Sequence, residues 1–155
     1  MGLFANTVLF KRLTRISKLN ELAVFNIVFN DPRVKDLIIE MNTQDQLYEK
    51  GIDALSMDLK SIGGDYSDVT KDVKSYFNEP YEHITLKDTG DFYKSFRVKA
   101  INGSIIISAD TIKDEDDLTD RWGSNILGLT KESREKLVQF AKVYYIREVK
   151  RQIWK

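Results

Sequence analysis

The chain has 155 residues, of which 42% are hydrophobic and 11% aromatic, and its 24 basic residues are balanced by 24 acidic ones. This composition excludes a wholly disordered chain and predicts a single domain over residues 1–155 with a sizeable core. Because cysteine is absent and His83 is the only histidine, disulfide bonds, thiolate metal sites and a zinc cluster are excluded, and we expect no metal or other cofactor.

The N-terminal region has the pattern of amphipathic helix. Apolar residues recur at helical steps from about Leu3 to Phe29, which predicts either one helix or two with a bend near Asn20. Residues 1–30 could thus form a helical arm, and Pro32 is expected to end it. Basic residues interrupt the apolar positions at Lys11, Arg12, Arg15 and Lys18. The region therefore lacks the unbroken apolar stretch of a signal peptide or membrane span, and we expect neither secretion nor membrane insertion.

The segment that follows has weaker patterns. Residues 34–41 fit a helix face and a strand about equally well, so both readings stay open. Thr43 with Gln46 three residues later is a capping-box pattern, which predicts a short helix that ends at Gly51. For residues 51–66 the sequence predicts an extended, mobile surface loop. The apolar residues that could order this loop are Leu55, Leu59 and Ile62.

The second half of the chain contains clearer signals. Ser67 can cap a helix over residues 68–77. Polar and apolar residues alternate up to Asn102-Gly103, the preferred two-residue turn, and predict a β-hairpin over residues 95–109. Thr130 can cap a long final helix with an apolar stripe. The predicted fold class is α+β, with N-terminal helices, a small antiparallel sheet that contains the hairpin, and a long C-terminal helix.

The segment 86–96 combines a turn, a helix start and a strand start. Gly90 can adopt a backbone angle that other residues resist, and Asp88 or Thr89 can offer a side-chain oxygen to the free amides of the next helical turn. Phe92 and the phenylalanine four residues after it are expected to face the same way, into a core. None of these residues forms a catalytic pattern, so we interpret the segment as a structural element that fixes the local backbone conformation.

This segment resembles the signature L-x-x-T-G-x-L/F-x-x-S-I/F of the phage virion-morphogenesis family, the small tail-completion or neck proteins of Mu-like and lambda-like tailed phages. Partial matches to other motifs occur in the family's order. They are Gly51-Ile52-Asp53, Tyr66 to Thr70 with Lys74 beyond, Ile105 to Ser108, and Trp122-Gly123 followed by Ile126 to Thr130. The resemblance covers roughly residues 39–150. It departs from the family at residues 120–125, where the family's usual histidine or glutamine and its Pro-x-Arg-Pro approach are missing.

The resemblance implies a structural virion protein at the head-to-tail junction, a tail-completion or neck ring component without enzymatic activity. Such a protein acts by self-assembly into a ring and by docking to connector or tail proteins, with DNA as a further partner inside the ring and no membrane involved. It would be assembled in the host cytoplasm and end in the virion. The residues that carry the structural motifs are Leu86, Thr89, Gly90, Phe92, Ser95, Gly123, Leu127, Gly128 and Leu129.

The charge distribution predicts where copies could meet. The N-terminal region is basic, whereas residues 110–120 form an acidic loop, and the two could complement each other between copies. The candidate interface residues are Asp114, Asp116, Asp117, Lys11, Arg12 and Arg15. For each charged run the competing interpretation is an ordinary solvated face. Apolar residues that find no room in the core, such as Leu3, Phe4, Val8 and Trp154, are expected to supply affinity.

Two other classes of function compete with this interpretation. The basic termini could form a nucleic-acid-binding module, although the zero net charge argues against it. A hydrolase of unrecognised type is the weaker alternative, because His83 lacks a nucleophile elbow and is expected to be a surface or hydrogen-bonded loop residue. The pair Gly63-Gly64 is not part of a P-loop, and residues 110–120 lack the ligand spacing of an EF-hand.

Overall fold

A computed structural model describes residues 7–113 and 116–154 of the chain. The predicted α+β class is confirmed: helices at both ends flank two small antiparallel sheets. The helices are α1 (Val8–Ser17), α2 (Glu21–Phe29), α3 (Pro32–Glu40), a π-helix (Met41–Tyr48), α4 (Leu59–Gly63), α5 (Asp68–Tyr76), α6 (Asp91–Lys94), α7 (Leu118–Trp122), a 3₁₀ turn (Ser124–Ile126) and α8 (Lys131–Trp154). The strands are β1 (Arg97–Ile101), β2 (Ser104–Ser108), β3 (Ile112–Lys113) and β4 (Asp116–Asp117).

The N-terminal helices break where the sequence predicted a bend. The Asn20 side chain accepts a hydrogen bond from the Ala23 N–H at 3.0 Å and so caps α2. Asp31 caps α3 in the same way, with Pro32 in the first helical turn, where its missing N–H costs nothing. Residues 34–41 are helical, which settles the choice between helix and strand. The prediction for residues 1–6 lies outside the described residues.

The capping-box prediction at Thr43 is wrong. Helix α3 runs directly into the π-helix, so Thr43 lies inside a continuous helical segment that has no free N-terminus to cap. Its hydroxyl instead donates to the Ile39 carbonyl at 2.8 Å, and Gln46 is buried. The predicted end is close to correct, because the helical backbone stops at Tyr48 and Gly51 adopts a φ of +62°.

Residues 51–66 are more ordered than predicted. Asp53 is buried, and its carboxylate accepts hydrogen bonds from the N–H groups of Leu55 and Met57, each at 2.8 Å, which fixes a tight turn. Helix α4 follows and buries Leu59 completely, whereas Ile62, like Leu55, remains exposed. The extended loop is therefore limited to the first part of the segment, and of the three apolar residues only Leu59 anchors it.

The remaining local predictions are confirmed. Asn102 and Gly103 both have positive φ values, as a type I′ turn requires, and β1 pairs with β2 in the expected antiparallel register. Ser67 accepts a hydrogen bond from the Thr70 N–H at 3.2 Å, and Thr130 accepts one from the Ser133 N–H at 3.2 Å. These two contacts begin α5 and α8 at the predicted residues.

Within residues 7–113 and 116–154, the buried apolar residues form three clusters. The first joins α3, β1 and the start of α8 around Ile38, and the third joins α2 to the middle of α8 around Val24. The second lies around Phe96 and joins the π-helix, α4 and the segment 84–96. Because α8 contributes to two of the three clusters, it holds the N-terminal helices against the sheet.

Candidate interaction surfaces

The turn at Gly90 has the predicted geometry. Gly90 has a φ of +84° and immediately precedes α6. A side chain there would meet little resistance, since the nearest atom to a Cβ would be the end of Lys94 at 4.0 Å, so the demand for glycine is conformational. Thr89 supplies the capping oxygen: it accepts from the Asp91 N–H at 3.3 Å and donates to the Asp91 carboxylate at 2.6 Å. The latter hydrogen bond, with help from Lys94, holds the pKa of Asp91 below its usual value.

Ser95 and the two phenylalanines fasten this turn to its surroundings. The Ser95 hydroxyl donates to the Phe92 carbonyl at 2.6 Å and accepts from the Asp110 N–H at 2.9 Å, so it joins the turn to the loop that leaves β2. The rings of Phe92 and Phe96 pack edge to face with their centroids 5.1 Å apart, and Phe96 is fully buried. The predicted common face of these phenylalanines is confirmed.

Two tyrosines that the sequence did not single out for this role fix the approach to the turn. The Tyr66 hydroxyl accepts a hydrogen bond from the Thr85 N–H at 2.9 Å, and the buried Tyr93 hydroxyl donates to the Thr85 carbonyl. Burial raises the pKa of Tyr93, so its phenol stays neutral and remains a donor. Leu86, which directly follows Thr85, has a φ of +54°, an uncommon backbone conformation for leucine.

A groove of about 1040 Å³ brings two sets of predicted residues together. One wall is the turn with Leu86, Thr89, Gly90 and Phe92, and the other is formed by β3, β4 and α7 with Asp116 and Asp117. Among the residues that the structure describes, its lining contains six aspartates, three lysines and one arginine, an excess of two negative charges. An ion pair between Lys113 and Asp88 crosses it.

The predicted interface residues lie in different parts of the fold. Asp116 is exposed, and Asp117 caps α7 by accepting from the Thr119 N–H at 2.8 Å, which lowers the pKa of this carboxyl. On α1, Arg12 lies over the Trp154 ring at 4.0 Å and Arg15 donates to the Ile153 carbonyl at 3.3 Å. Lys11 on the same helix is exposed. Asp114 lies outside the described residues. Across residues 7–113 and 116–154, no ion pair joins α1 to the acidic loop within one copy.

The approach to α8 is held by two buried amides that the sequence interpretation missed. The Asn42 side chain donates to the Ile126 carbonyl at 3.0 Å and accepts from the Gly128 N–H at 2.9 Å. The Gln46 side chain donates to the Gly128 carbonyl at 2.8 Å and accepts from the Thr130 N–H at 2.8 Å. We call this set the amide clamp. The four-residue spacing of its two amides on the helical segment was the available signal.

The glycines and leucines of this approach have distinct roles. Gly123 has a φ of +80°, and a Cβ there would meet nothing within 4 Å, so its requirement is conformational. Gly128 has a steric requirement instead, because a Cβ would lie 2.9 Å from that of Ala54. Leu129 is buried in the first cluster and Leu127 is partly buried against the second. The motif residues of this loop therefore fix its backbone conformation and its packing.

Helix α5 presents its apolar side to solvent. Its apolar positions are between 52 and 82% exposed, and we call them the α5 face: Val69, Val73, Tyr76 and the adjoining Phe77. On the opposite side of the helix, a charged side chain points into the subunit. Lys74 is only 8% exposed, and its ammonium group donates to Glu79 at 2.9 Å and to the Lys87 carbonyl at 3.0 Å. An apolar stripe of this size on an exposed helix is typical of an interaction surface.

Helix α1 carries a second exposed apolar stripe, the α1 stripe, formed by Leu9, Leu13 and Ile16. These side chains are between 49 and 67% exposed. Arg12 and Arg15 on the same helix make the contacts with α8 described above. The stripe itself remains about half exposed or more, and the charged residues of α1 are all basic.

The lone histidine is engaged in the fold. His83 Nε2 lies 2.7 Å from the Tyr48 carbonyl, and its ring would clash with a Cβ at Gly51. The prediction of a hydrogen-bonded loop histidine is confirmed. Within the described ranges, no group of three or more His, Cys, Asp or Glu residues is arranged to hold a metal ion. Similarly, no helix in those ranges is both long and apolar enough to cross a membrane.

No protein-family model matches the chain, and neither a curated protein nor a solved structure matches it at a significant level.

Proposed function

We propose that this chain is a structural virion protein of a tailed phage, a tail-completion or neck component that acts by self-assembly at the head-to-tail junction. The observation that carries the proposal is the α5 face, an exposed apolar helix face that includes two adjacent aromatic rings. A monomer gains nothing from leaving two adjacent aromatic rings in water, whereas a subunit that assembles can bury them.

The placement of the motif residues supports a scaffold. Gly90 and Gly123 provide positive backbone angles, Gly128 allows a close approach to Ala54, and Ser95 connects two loops. None of these residues presents a reactive group to the groove. They hold loops in shape, which is the requirement for a subunit whose surface must match identical neighbours.

Opposite charges on separate parts of the subunit support contacts between copies. The groove is acidic, whereas α1 is basic and lies against the end of α8, where Lys150 adds further positive charge and Arg151 is paired with Glu148. In this proposal the charges set the register of neighbouring copies and the apolar faces supply affinity. Connector and tail proteins are the other partners, and DNA passes through the ring in the assembled virion.

The direct test is the mass of the particle in solution. We expect multi-angle light scattering and native mass spectrometry to detect one closed oligomer, and negative-stain electron microscopy to show a ring. A protein that stays monomeric at concentrations up to about 100 μM, far above typical specific assembly affinities, would contradict the proposal. Matched runs at low and high salt will separate apolar from ionic contributions.

Nucleic-acid binding is a second candidate, because the fold places the two basic termini side by side. Arg12 and Arg15 contact the last turn of α8, and Lys11, Lys150 and Arg151 are exposed nearby along the same two helices. This candidate predicts that a short fluorescent DNA binds to the protein with an affinity that falls steeply with salt. Binding that is unaffected by Lys11→Glu combined with Lys150→Glu would exclude this surface.

A further inference from the structure

We infer that the α1 stripe of one copy packs on the α5 face of the next copy. The inference rests on the proposed assembly into a ring and specifies the contact that builds it. Both surfaces are apolar and exposed, and they belong to different parts of the subunit. Helix α1 contacts α8, whereas α5 is held by Tyr66, Asp65 and Lys87 near the groove. One copy can therefore offer both surfaces at the same time.

The α5 face is large enough to anchor a specific contact. An aromatic side chain buries about 150–250 Å² in an interface, so Tyr76 and Phe77 together supply roughly 300–500 Å². A standard interface buries about 800 Å² on each partner, and Val69, Val73 and the rim residues can make up the rest. The two rings already pack edge to face, with centroids 5.1 Å apart, so little conformational freedom is lost on binding.

Charge complementarity selects α1 as the element that covers this face. On α5, Lys71 and Lys74 are bound inward to Asp65 and Glu79, which leaves Asp68 and Asp72 exposed as the charges beside the apolar residues. On α1, Arg12 and then Arg15 lie along one edge of the α1 stripe, whereas Lys11, two residues from both Leu9 and Leu13, lies on the opposite side of the helix. Within the described part of the chain neither Asp68 and Asp72 nor Arg12 and Arg15 form an ion pair. Opposite charges therefore border the two stripes.

The lengths and the symmetry agree with this arrangement. Helix α1 has 10 residues and α5 has 9, so both are about 14–15 Å long and can lie along each other. The contact joins two different surfaces and is heterologous, so repetition closes a ring when the rotation between copies fits. A contact between two α5 faces would instead be isologous, would bring Asp68 and Asp72 of both copies together, and would end at a dimer.

Disulfide trapping tests the contact, because the chain contains no cysteine of its own. The variants Leu13→Cys and Val73→Cys are prepared separately, mixed and oxidised. We expect a disulfide-linked heterodimer on non-reducing gels in at least fivefold excess over either homodimer. The matched control replaces Val73→Cys with Ile106→Cys, a similarly exposed position on the outer side of β2, and is expected to give only background cross-linking.

Each alternative outcome overturns the inference. Predominant Val73→Cys homodimers would assign an isologous α5 contact, and equal trapping by Ile106→Cys would show random collision. A closed ring without the α1–α5 disulfide would refute this contact and leave the proposed function standing. A monomer that forms no cross-link would refute both. Binding of anionic vesicles that Lys11→Glu abolishes, without any change in oligomer mass, would assign α1 to a lipid surface.

Charge exchange provides an independent check. Arg12→Glu and Asp72→Lys are each expected to raise the dissociation constant of the oligomer about two- to fivefold, the range of an exposed ion pair. The double variant restores complementarity and is expected to recover at least half of the loss. If the two single effects simply add in the double variant, Arg12 and Asp72 do not contact each other across the interface.

Discussion

Helices α3 and α5 have the same length and each contains a pair of branched apolar residues four positions apart, yet the two pairs lie in opposite environments. Val34 and Ile38 are four residues apart on α3 and are completely buried, whereas Val69 and Val73 are four residues apart on α5 and point to solvent. The difference arises on the other side of each helix. Helix α5 attaches to the subunit through Lys71 and Lys74, which leaves its apolar side free. Periodicity therefore identifies a face, but the rest of the fold decides whether that face becomes core or surface.

The largest expected difference between the two helices is in the loss of stability when one apolar side chain of each is shortened to alanine. Ile38→Ala removes a fully buried side chain and is expected to lower the free energy of unfolding by about 2–5 kcal/mol. Val73→Ala, on the exposed face, is expected to change it by less than about 0.5 kcal/mol. Urea denaturation followed by circular dichroism measures both under conditions where the protein is monomeric. Equal losses at the two positions would show that the α5 face is covered within the subunit.

The amide clamp is expected to have the next largest effect. Gln46→Ala leaves the Gly128 carbonyl and the Thr130 N–H buried without their partner, and should cost about 2–4 kcal/mol because a buried unsatisfied group costs about 1–3 kcal/mol. Gln44→Ala is the control, since Gln44 is exposed on the same helical segment. Chemical denaturation of the two variants gives the difference, and a neutral Gln46→Ala would mean that water replaces the side chain.

A smaller loss is expected at the turn. Gly90→Val forces a β-branched residue into a φ of +84° and should cost about 1–3 kcal/mol. Gly90→Asn is the matched control, because asparagine tolerates this backbone region and should cost less than about 1 kcal/mol. Thermal unfolding monitored at 222 nm compares them. If Gly90→Val is as stable and assembles as well as the parent, the assigned geometry is wrong.

The smallest expected effect concerns the ion pair between Asp65 and Lys71, which helps to attach α5 to the subunit. The ammonium groups of Lys60 and Lys71, at 2.8 and 2.7 Å, hold the pKa of Asp65 well below its ordinary value of 3.8. A carboxyl with a lowered folded-state pKa stabilises the fold above its unfolded pKa, and this contribution is lost as the pH falls from about 4 toward the folded value. Asp65→Asn should flatten the decline of stability below pH 4. An unchanged pH profile would mean that solvent screens the pair.

What the sequence predicted correctly depends on neighbours along the chain. Asn102-Gly103 specifies its hairpin, and Ser67 and Thr130 begin their helices, because each acts within a few residues. The amide clamp was unpredictable for the opposite reason. Gln46 reaches residues 82 and 84 positions away, and its local spacing from Thr43 imitated a capping box. The exposure of the α5 face was equally hidden, since it depends on which side of the helix the inward ion pairs occupy.

The amide clamp has a consequence for the order in which the subunit matures. Its polar side chains lie in the first third of the chain, but the backbone groups that satisfy them are residues 126–130, which leave the ribosome late. Until then, two amides in the π-helix lack their partners, so the nascent N-terminal part is expected to remain loosely packed. Newly made chains would thus complete their shape only near the end of synthesis, a timing that favours association between finished copies over capture of fragments.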